Sequence, residues 1–596
     1  MTGAQDPSTD PAIATLRQTP LLSGLSVDHI ARLLAAARRL DVAQGTRLIE
    51  QGAVADDLYL VLRGRFTVIT GGQAIADICA GEPIGEIAFF AGGVRSANVV
   101  AARASTVLAL SRPAWDGLAR AVPEINQAIL ASLARRLAAT SRSAPPLRPL
   151  APRCVAFLGD IPAPVLQALD RGLAGWAVIG PGTPDLRAAL HSRESAGQKV
   201  LLIAPPDALL GEVDEAFEFA PLGPAPTSSQ AHVPKSAPVS LVLWRGVGAT
   251  QIAGTALWLA RHKPRHHHHI ALDCPGDIAR LLRFVDGQAL GLVLSGGGAQ
   301  GTAHLGALKA LGEHGVVFDM VGGTSAGAAM GAALALGRAP DMVMDLCEDI
   351  FLRSRAMGRY ALPKYSVLDP GLFDAALRTH FGAHAIEDLP LPYFAVATNL
   401  SNNDVALLDH GPLWQAVRAS ASIPVVFPPW IDGAGNILVD GAMIDNAPIQ
   451  AMRAQKPGPA LLLNLLRNAE WRSTTPYADL PSRAAVVWQV LSAPLRLPRP
   501  EGFPTAISVL SRVFNVNAQR RLRSVDAPGD VMIDIHPLAG MAYLDWTKAR
   551  AQFDDSHRVF SRALALARDR GFGPDRPVDL LAAMKAELPW NRTPGG

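Results

Sequence analysis

Apolar and polar positions alternate with two different rhythms along this chain. Between residues 19 and 141, short alternating runs such as Asp57 to Leu62 and Phe66 to Thr70 are punctuated by Gly45, Gly52, Gly64 and Gly81, the spacing of a small antiparallel barrel or roll. A helix over Val27 to Arg39 opens this stretch, and the periodicity of Asn126 to Ala139 predicts an amphipathic helix that closes it. The Pro-rich segment Ser143 to Pro149 reads as a semi-rigid linker. Beyond it, apolar runs at Val155 to Gly159, Trp176 to Gly180, Lys199 to Ala204 and Val239 to Trp244 are separated by helical patterns, which predicts an α/β region; Pro221 to Pro238 is a polar, Pro-rich loop within it. The expected division is a tail over 1–18, a roll-like domain over 19–141, a linker over 142–152, an intermediate α/β region over 153–288 and a last α/β domain over 289–590. A length of 596 residues accommodates several domains.

The last domain carries the chemistry. An apolar strand from Gly291 runs into a glycine turn, Gly296, Gly297 and Gly298 followed by Gly301, and a second turn, Gly323-Thr-Ser-Ala-Gly327, opens another helix. A serine attacks an ester when its hydroxyl stands on a sharp strand-to-helix turn, which Gly323 and Gly327 permit around Ser325. Val317 to Val321 is the expected strand and Ala326 to Leu336 the expected helix. Gly296, Gly297 and Gly298 can offer N–H groups to the oxyanion of a tetrahedral intermediate. Read alone, the glycine turn fits a phosphate or dinucleotide equally well, because Gly296, Gly298 and Gly301 satisfy that fingerprint too. No acidic residue combines the spacing and the strand-end position of a ribose contact; Asp319 precedes the serine turn instead.

The third element is Asp440-Gly441-Ala442 after a short apolar strand, since a carboxylate can take the proton of a serine. Together the three motifs resemble the patatin-like phospholipases, whose pattern is a Gly-Gly-Gly-x-Arg/Lys-Gly turn, a Gly-x-Ser-x-Gly elbow and a late Asp-Gly-Gly/Ala. Arg418 to Pro424 and Phe427 to Pro429 resemble the segment before that aspartate. The resemblance implies a three-layer α/β hydrolase core with a mostly parallel sheet, Ser325 as nucleophile, Asp440 as base and an oxyanion hole at Gly296 to Gly298. A histidine triad would draw on His536 or His557, and Asp445 reads as a capping or turn residue. One departure stands out: position 300 is Gln where the family carries Arg or Lys.

The roll-like domain contains Ile84-Gly-Glu-Ile-Ala-Phe-Phe90 and then Val94-Arg-Ser-Ala-Asn-Val99. A guanidinium beside helix-start N–H groups suits a phosphate, and a carboxylate suits a ribose hydroxyl. These residues resemble the phosphate-binding cassette of cyclic-nucleotide-binding domains. The resemblance implies that Glu86 meets the ribose 2′-hydroxyl while Arg95 and Ser96 hold the cyclic phosphate, with backbone help from Gly85 and Ala88. Ala97, lacking a hydroxyl, favours cAMP over cGMP as the effector by family analogy. The order of cyclic-nucleotide domain, intermediate region and hydrolase domain is shared by multidomain relatives of neuropathy target esterase.

Composition narrows the setting. A net charge of +3 is too mild to imply nucleic-acid binding. Cys79, Cys154, Cys274 and Cys347 have neither disulfide nor metal-ligand spacing, which fits a reducing compartment. The run His266 to His269 cannot place four rings on one ion, and as a strand start it would send alternate rings to opposite faces; a surface or interdomain polar cluster is expected, and no metal. No signal peptide opens the chain and no charge-free apolar run reaches the length of a membrane span. A cytoplasmic lipid acyl hydrolase is therefore expected, acting on phospholipid or lysophospholipid from the inner face of a membrane without spanning it. Trp471 to Leu497 and Gln519 to Arg523 are candidate basic, apolar contacts for anionic lipid. The competing class is a non-enzymatic cyclic-nucleotide sensor or scaffold with a degenerate hydrolase domain, for which Gln300 is the one supporting residue.

Overall fold

A computed structural model describes residues 25–125, 150–223, 237–465 apart from 363, and 529–591, with isolated positions elsewhere. The amino-terminal tail, most of the linker, the closing helix expected at Asn126 to Ala139, most of the Pro221 to Pro238 loop and the basic segments 471–497 and 519–523 lie outside the described residues. The chain forms two compact units: residues 1–289 with 387–392 and 450–458, and the remainder.

The first unit begins with the roll. One four-stranded sheet holds Arg38–Val42, Ser105–Ser111, Asp57–Arg63 and Pro83–Ile84; the other holds Arg47–Ile49, Asn98–Ala101, Arg65–Thr70 and Gln73–Cys79. Alternation along Asp57–Arg63 divides its side chains. Leu58 and Leu60 pack with the helices Val27–Ala36 and Arg112–Ala121, while Val61 joins Phe66, Val99 and Val107 between the sheets. The first helix ends at Ala36, short of the expected Arg39, because Arg38 and Arg39 are drawn into pairing with Ala109 and Leu108.

The intermediate region is a six-stranded, wholly parallel sheet in the order Trp176–Ile179, Lys199–Ile203, Cys154–Gly159, Glu215–Pro221, Val239–Arg245, His266–Ala271. Burial on both faces explains its near-continuous apolar strands. Glu215–Pro221 escaped the sequence reading because two glutamates and a proline interrupt it. The four histidines do form an edge strand with alternating faces: His268 packs between Phe217 and Phe284, whereas His267 and His269 direct Nε2 to the carbonyl of Glu387. His268 and His269 are buried, which removes the surface half of the expected surface or interdomain cluster, and burial holds both well below the usual imidazole range, His269 at about 3. No metal-binding cluster occurs among the described residues.

Roll and intermediate region are joined within this unit by a buried ionic network. The Arg103 guanidinium meets Glu194 at 2.6 Å and Asp214 at 2.9 Å and donates to the Glu212 carbonyl at 2.8 Å. Arg63 lies 3.0 Å from Glu212, and Arg65 3.5 Å from Asp214. Burial alone would raise the Glu212 carboxyl, but hydrogen bonds from His191 and Arg63 hold it down at about 2. Breaking a buried pair by removing one partner typically costs about 3–5 kcal/mol, because the other charge stays buried. Arg103→Met should therefore lower the stability of this unit by about that amount, read as an earlier transition in urea; an unmoved transition would contradict it.

The second unit is built on an eight-stranded sheet. Its path runs Trp430–Ile431, Ile437–Asp440, Tyr393–Asn399, Met320–Thr324, Gly291–Leu294, Ala460–Leu465, Val531–Ile535, and Asp404–Leu408 pairs off the path with Tyr393–Asn399. The five strands from Tyr393–Asn399 to Val531–Ile535 are mutually parallel, and the strand ending in Asp440 joins antiparallel. Helices Thr302–Glu313, Ala326–Ala335 and Ala549–Asp569 flank the sheet. The serine strand begins at Met320, three residues later than expected, since Asp319 is spent accepting the Leu290 N–H and donating its own N–H to the Leu290 carbonyl.

Candidate active site

Ser325 sits between the strand Met320–Thr324 and the helix Ala326–Ala335 with φ 55° and ψ −122°. A non-glycine residue held there is strained, and the surroundings must enforce it. They do so by close backbone packing: a methyl group at Gly327 would lie 2.3 Å from the Leu294 carbonyl oxygen. The Ser325 N–H donates to Ser420 Oγ at 2.9 Å, and Ser420 Oγ donates in turn to the Val396 carbonyl at 2.6 Å.

Asp440 ends its strand, and its N–H donates to the Ser422 carbonyl at 2.9 Å. Its Oδ2 accepts the Ser325 hydroxyl at 2.6 Å, and its Oδ1 accepts the Ala442 N–H at 2.8 Å. Gly441 allows this, because a methyl group there would lie 2.3 Å from the Val396 carbonyl. Burial raises the Asp440 carboxyl to about 7, against the opposing hydrogen bonds from Ser325 and Ala442. No histidine among the described residues bonds to Ser325 or Asp440. His536 packs at a tilt against Trp590 and His557 pairs with Glu313. Asp445 acts as a turn residue, accepting the Ala447 N–H on Oδ1 and the Thr324 hydroxyl on its carbonyl.

The glycine turn abuts the serine, but its three N–H groups are not equivalent. The Gly296 N–H is committed to the Asn446 carbonyl at 3.2 Å, and Asn446 Nδ2 returns a bond to the Gly296 carbonyl at 3.2 Å. That corrects the expectation of three oxyanion donors. Gly297 and Gly298 keep N–H groups without a hydrogen-bond partner among the described residues. Gly298, at φ 55°, faces the Tyr543 carbonyl, which accepts the Ala299 N–H at 2.8 Å. Gln300 is buried and donates from Nε2 to the Met541 carbonyl at 2.7 Å. The turn is thus pinned by a neutral amide where the family pattern has a cation.

Sequence reasoning missed the part played by Arg418 to Ser422. Arg418 is buried, pairs with Asp374 at 2.6 Å, donates to Ser422 Oγ at 2.6 Å and lies over the Phe427 ring. This one segment thereby fixes the Ser325 backbone through Ser420 and the Asp440 backbone through Ser422. The available signal was the i, i+4 spacing of Arg418 and Ser422 at the end of a helix; nothing local marked Ser420. Beside Ser325 opens an apolar cavity, about 680 Å³ with its open mouth included, walled by Met330, Cys347, Phe351, Phe373, Phe381 and Trp546 among others.

In the roll, Gly85 (φ 79°) precedes the short helix Glu86–Ala91, and Glu86, Ala88 and Arg95 are buried. Arg95 donates to the Gly85 carbonyl at 2.7 Å and to the Asp57 carbonyl, while Ser96 is exposed. The five residues expected at a nucleotide pocket therefore lie on one cassette.

A nucleophile elbow, a glycine turn and a buried aspartate around a parallel sheet define a patatin-like phospholipase, and the Patatin-like phospholipase family profile matches residues 292–453. The Cyclic nucleotide-binding domain profile matches residues 39–121. An uncharacterised NTE family protein of Mycobacterium tuberculosis is 30% identical over 475 residues, which cover 76% of this chain and 80% of that protein. The chain belongs to the NTE family, and it is a lipid hydrolase with a cyclic-nucleotide-binding domain. A lysophospholipase of Yarrowia lipolytica is 32% identical over 289 residues, 48% of this chain but 20% of that longer protein. Among solved structures, the catabolite activator protein of Thermus thermophilus aligns with 21% of this chain and 60% of its own at 33% identity, with a TM-score of 0.20.

The raised Asp440 carboxyl has a consequence for stability. In the unfolded chain it ionises near the ordinary 3.8, whereas in the folded protein it keeps its proton to about 7. The native state thus binds the extra proton between those values, and the stability this confers is lost as pH rises through the window. The melting temperature of Asp440→Asn relative to wild type should climb between about pH 4 and about pH 7; a constant difference would show that Asp440 is not the raised group.

Proposed function

We propose that this protein hydrolyses a carboxylic ester of phospholipid or lysophospholipid with Ser325 as nucleophile and Asp440 as its base. The observation that carries the reading is the 2.6 Å hydrogen bond from Ser325 Oγ to Asp440 Oδ2 beside an apolar cavity. Asp440, as carboxylate, accepts the Ser325 proton while Oγ attacks the ester carbonyl. The Gly297 and Gly298 N–H groups receive the oxyanion, a contribution worth about a hundredfold to a thousandfold per donor in comparable sites. Collapse expels the alcohol, which takes the proton from Asp440 and leaves an acyl group on Ser325. Water deprotonated by the same carboxylate then releases the fatty acid. The cavity suits the acyl chain because its walls are almost wholly apolar. The lysophospholipase name of the yeast relative points the same way.

Gln300 gives the scaffold reading little support, since its amide still anchors the turn. In the roll, Arg95 and Ser96 would hold the phosphate and Glu86 the ribose of cAMP as an effector. Arg95 already serves two carbonyls, so binding requires it to exchange at least one of them for phosphate oxygens.

Ser325→Ala and Asp440→Asn should each lower hydrolysis of a short-chain aryl ester by about a thousandfold or more, and only Ser325→Ala should lose labelling by a fluorophosphonate outright. Near-wild-type turnover in either variant would sink the pairing. Because the base must be ionised, kcat/KM of the wild type should rise with pH through a limb near 7. Calorimetry should show cAMP binding more tightly than cGMP and neither binding to Arg95→Ala; indifference to that substitution would remove the nucleotide role.

A further inference from the structure

Above the catalytic cavity the chain makes an unusual surface. Residues 350–368 contain four cations, Arg353, Arg355, Arg359 and Lys364, and no acid. All four are exposed. Asp349 and Asp369, just outside the segment, lie 3.6 Å from Arg353 and 3.0 Å from Arg359. Arg355 and Lys364 have no acidic partner among the described residues.

The same segment exposes apolar and amphipathic side chains far beyond what isolated surface positions need. Tyr360 is 78% exposed, Leu362 90% and Tyr365 74%, and Val425 beside them is 66% exposed. These groups stand on an ordered base. Tyr360 bridges Leu368, the Ala361 N–H donates to the Val367 carbonyl, and the Val367 and Leu368 N–H groups donate to the carbonyls of Val425 and Val426. Leu362, Lys364 and Tyr365 therefore project from the tip of a braced loop.

Beneath the loop lies an open trough of about 1620 Å³ lined by Leu352, Arg355, Tyr360 and Val425 among others. Phe351, Met357, Leu544 and Trp546 line both this trough and the cavity beside Ser325. Phe351 and Trp546 are stacked at 3.6 Å between ring centres, and Phe351 belongs to a π-helical turn, Asp349–Arg353, a local irregularity often found at functional sites.

We propose that the loop 360–365 with Val425, Arg355 and Lys364 is the surface by which this protein docks on a bilayer containing anionic lipid. The inference rests on the lipid hydrolase reading and adds where substrate enters. Charge complementarity selects the occupant: cations with no acidic partner among the described residues meet anionic headgroups, and each cation near such a surface contributes to adsorption. Tyrosines take the headgroup level, where one end of the ring is wet and the other apolar. Leu362 and Val425 reach the acyl boundary. A lipid drawn from the docked leaflet would then pass along an apolar trough to the wall it shares with the catalytic cavity.

The test is cosedimentation of the full chain with phosphatidylcholine vesicles, with and without phosphatidylglycerol, for wild type and for Leu362→Ser/Lys364→Glu/Tyr365→Ser. None of these three residues lines the catalytic cavity. Wild type should bind the anionic vesicles more tightly, with binding weakened by salt, and the triple variant should lose about tenfold or more in partitioning. Its melting temperature and its turnover of a soluble short-chain ester should remain those of wild type, while its turnover of vesicle lipid falls. Equal partitioning of variant and wild type, or wild type that binds neither vesicle, would overturn the proposal; the latter would leave a protein partner as the occupant. Failure of wild type to turn over the soluble ester would instead defeat the hydrolase reading, and the vesicle comparison would still decide the surface.

Discussion

Everything at the catalytic centre depends on backbone approaching backbone without side chains between. Gly327 lies against the Leu294 carbonyl, and Gly441 against the Val396 carbonyl and the Thr324 methyl. Three neighbouring strand ends are thereby drawn within one hydrogen bond of each other. A single added methyl at either position would push Ser325 away from the glycine turn or Asp440 away from Ser325. The strained Ser325 conformation persists because this packing leaves the backbone no room to relax.

The cost of that arrangement appears in its polar groups. A carboxyl taken wholly out of water is expensive to ionise, and Asp440 compensates with only two hydrogen bonds. Its affinity for protons rises accordingly, and a base whose pKa lies near neutrality is better matched to taking and returning the proton of a hydroxyl than an ordinary carboxylate would be. In the proposed mechanism, burial gives Asp440 the near-neutral proton affinity that a histidine brings to a triad.

How much of this could be read from the chain varies with the kind of information. Glycines beside Ser325 and Asp440 announced themselves because tight turns restrict residue type locally. The strand of four histidines was legible through the apolar Ile270 to Leu272 that follow it, although its burial was not, since polar rings signal surface until their partners are known. The commitment of the Gly296 N–H to Asn446 was invisible, because the two residues are 150 positions apart. The same distance problem hid the work of Ser420 and Ser422. Gln300 looked like a lost charge and proved to be a kept anchor, since the carbonyl it needs, that of Met541, is supplied by a segment 241 residues away.

The ionic network of the first unit bears on modularity. Glu194, Glu212 and Asp214 belong to the intermediate region, yet the guanidinium groups of Arg63, Arg65 and Arg103 that neutralise them come from the roll. A chain begun at the intermediate sheet would open three carboxylates to water and lose three of the cations made to face them. The roll thus shares a buried ionic seam with the intermediate sheet instead of standing apart from it. Shuffling it away would require rewriting the acidic edge it covers, and the two regions are better regarded as a single heritable piece.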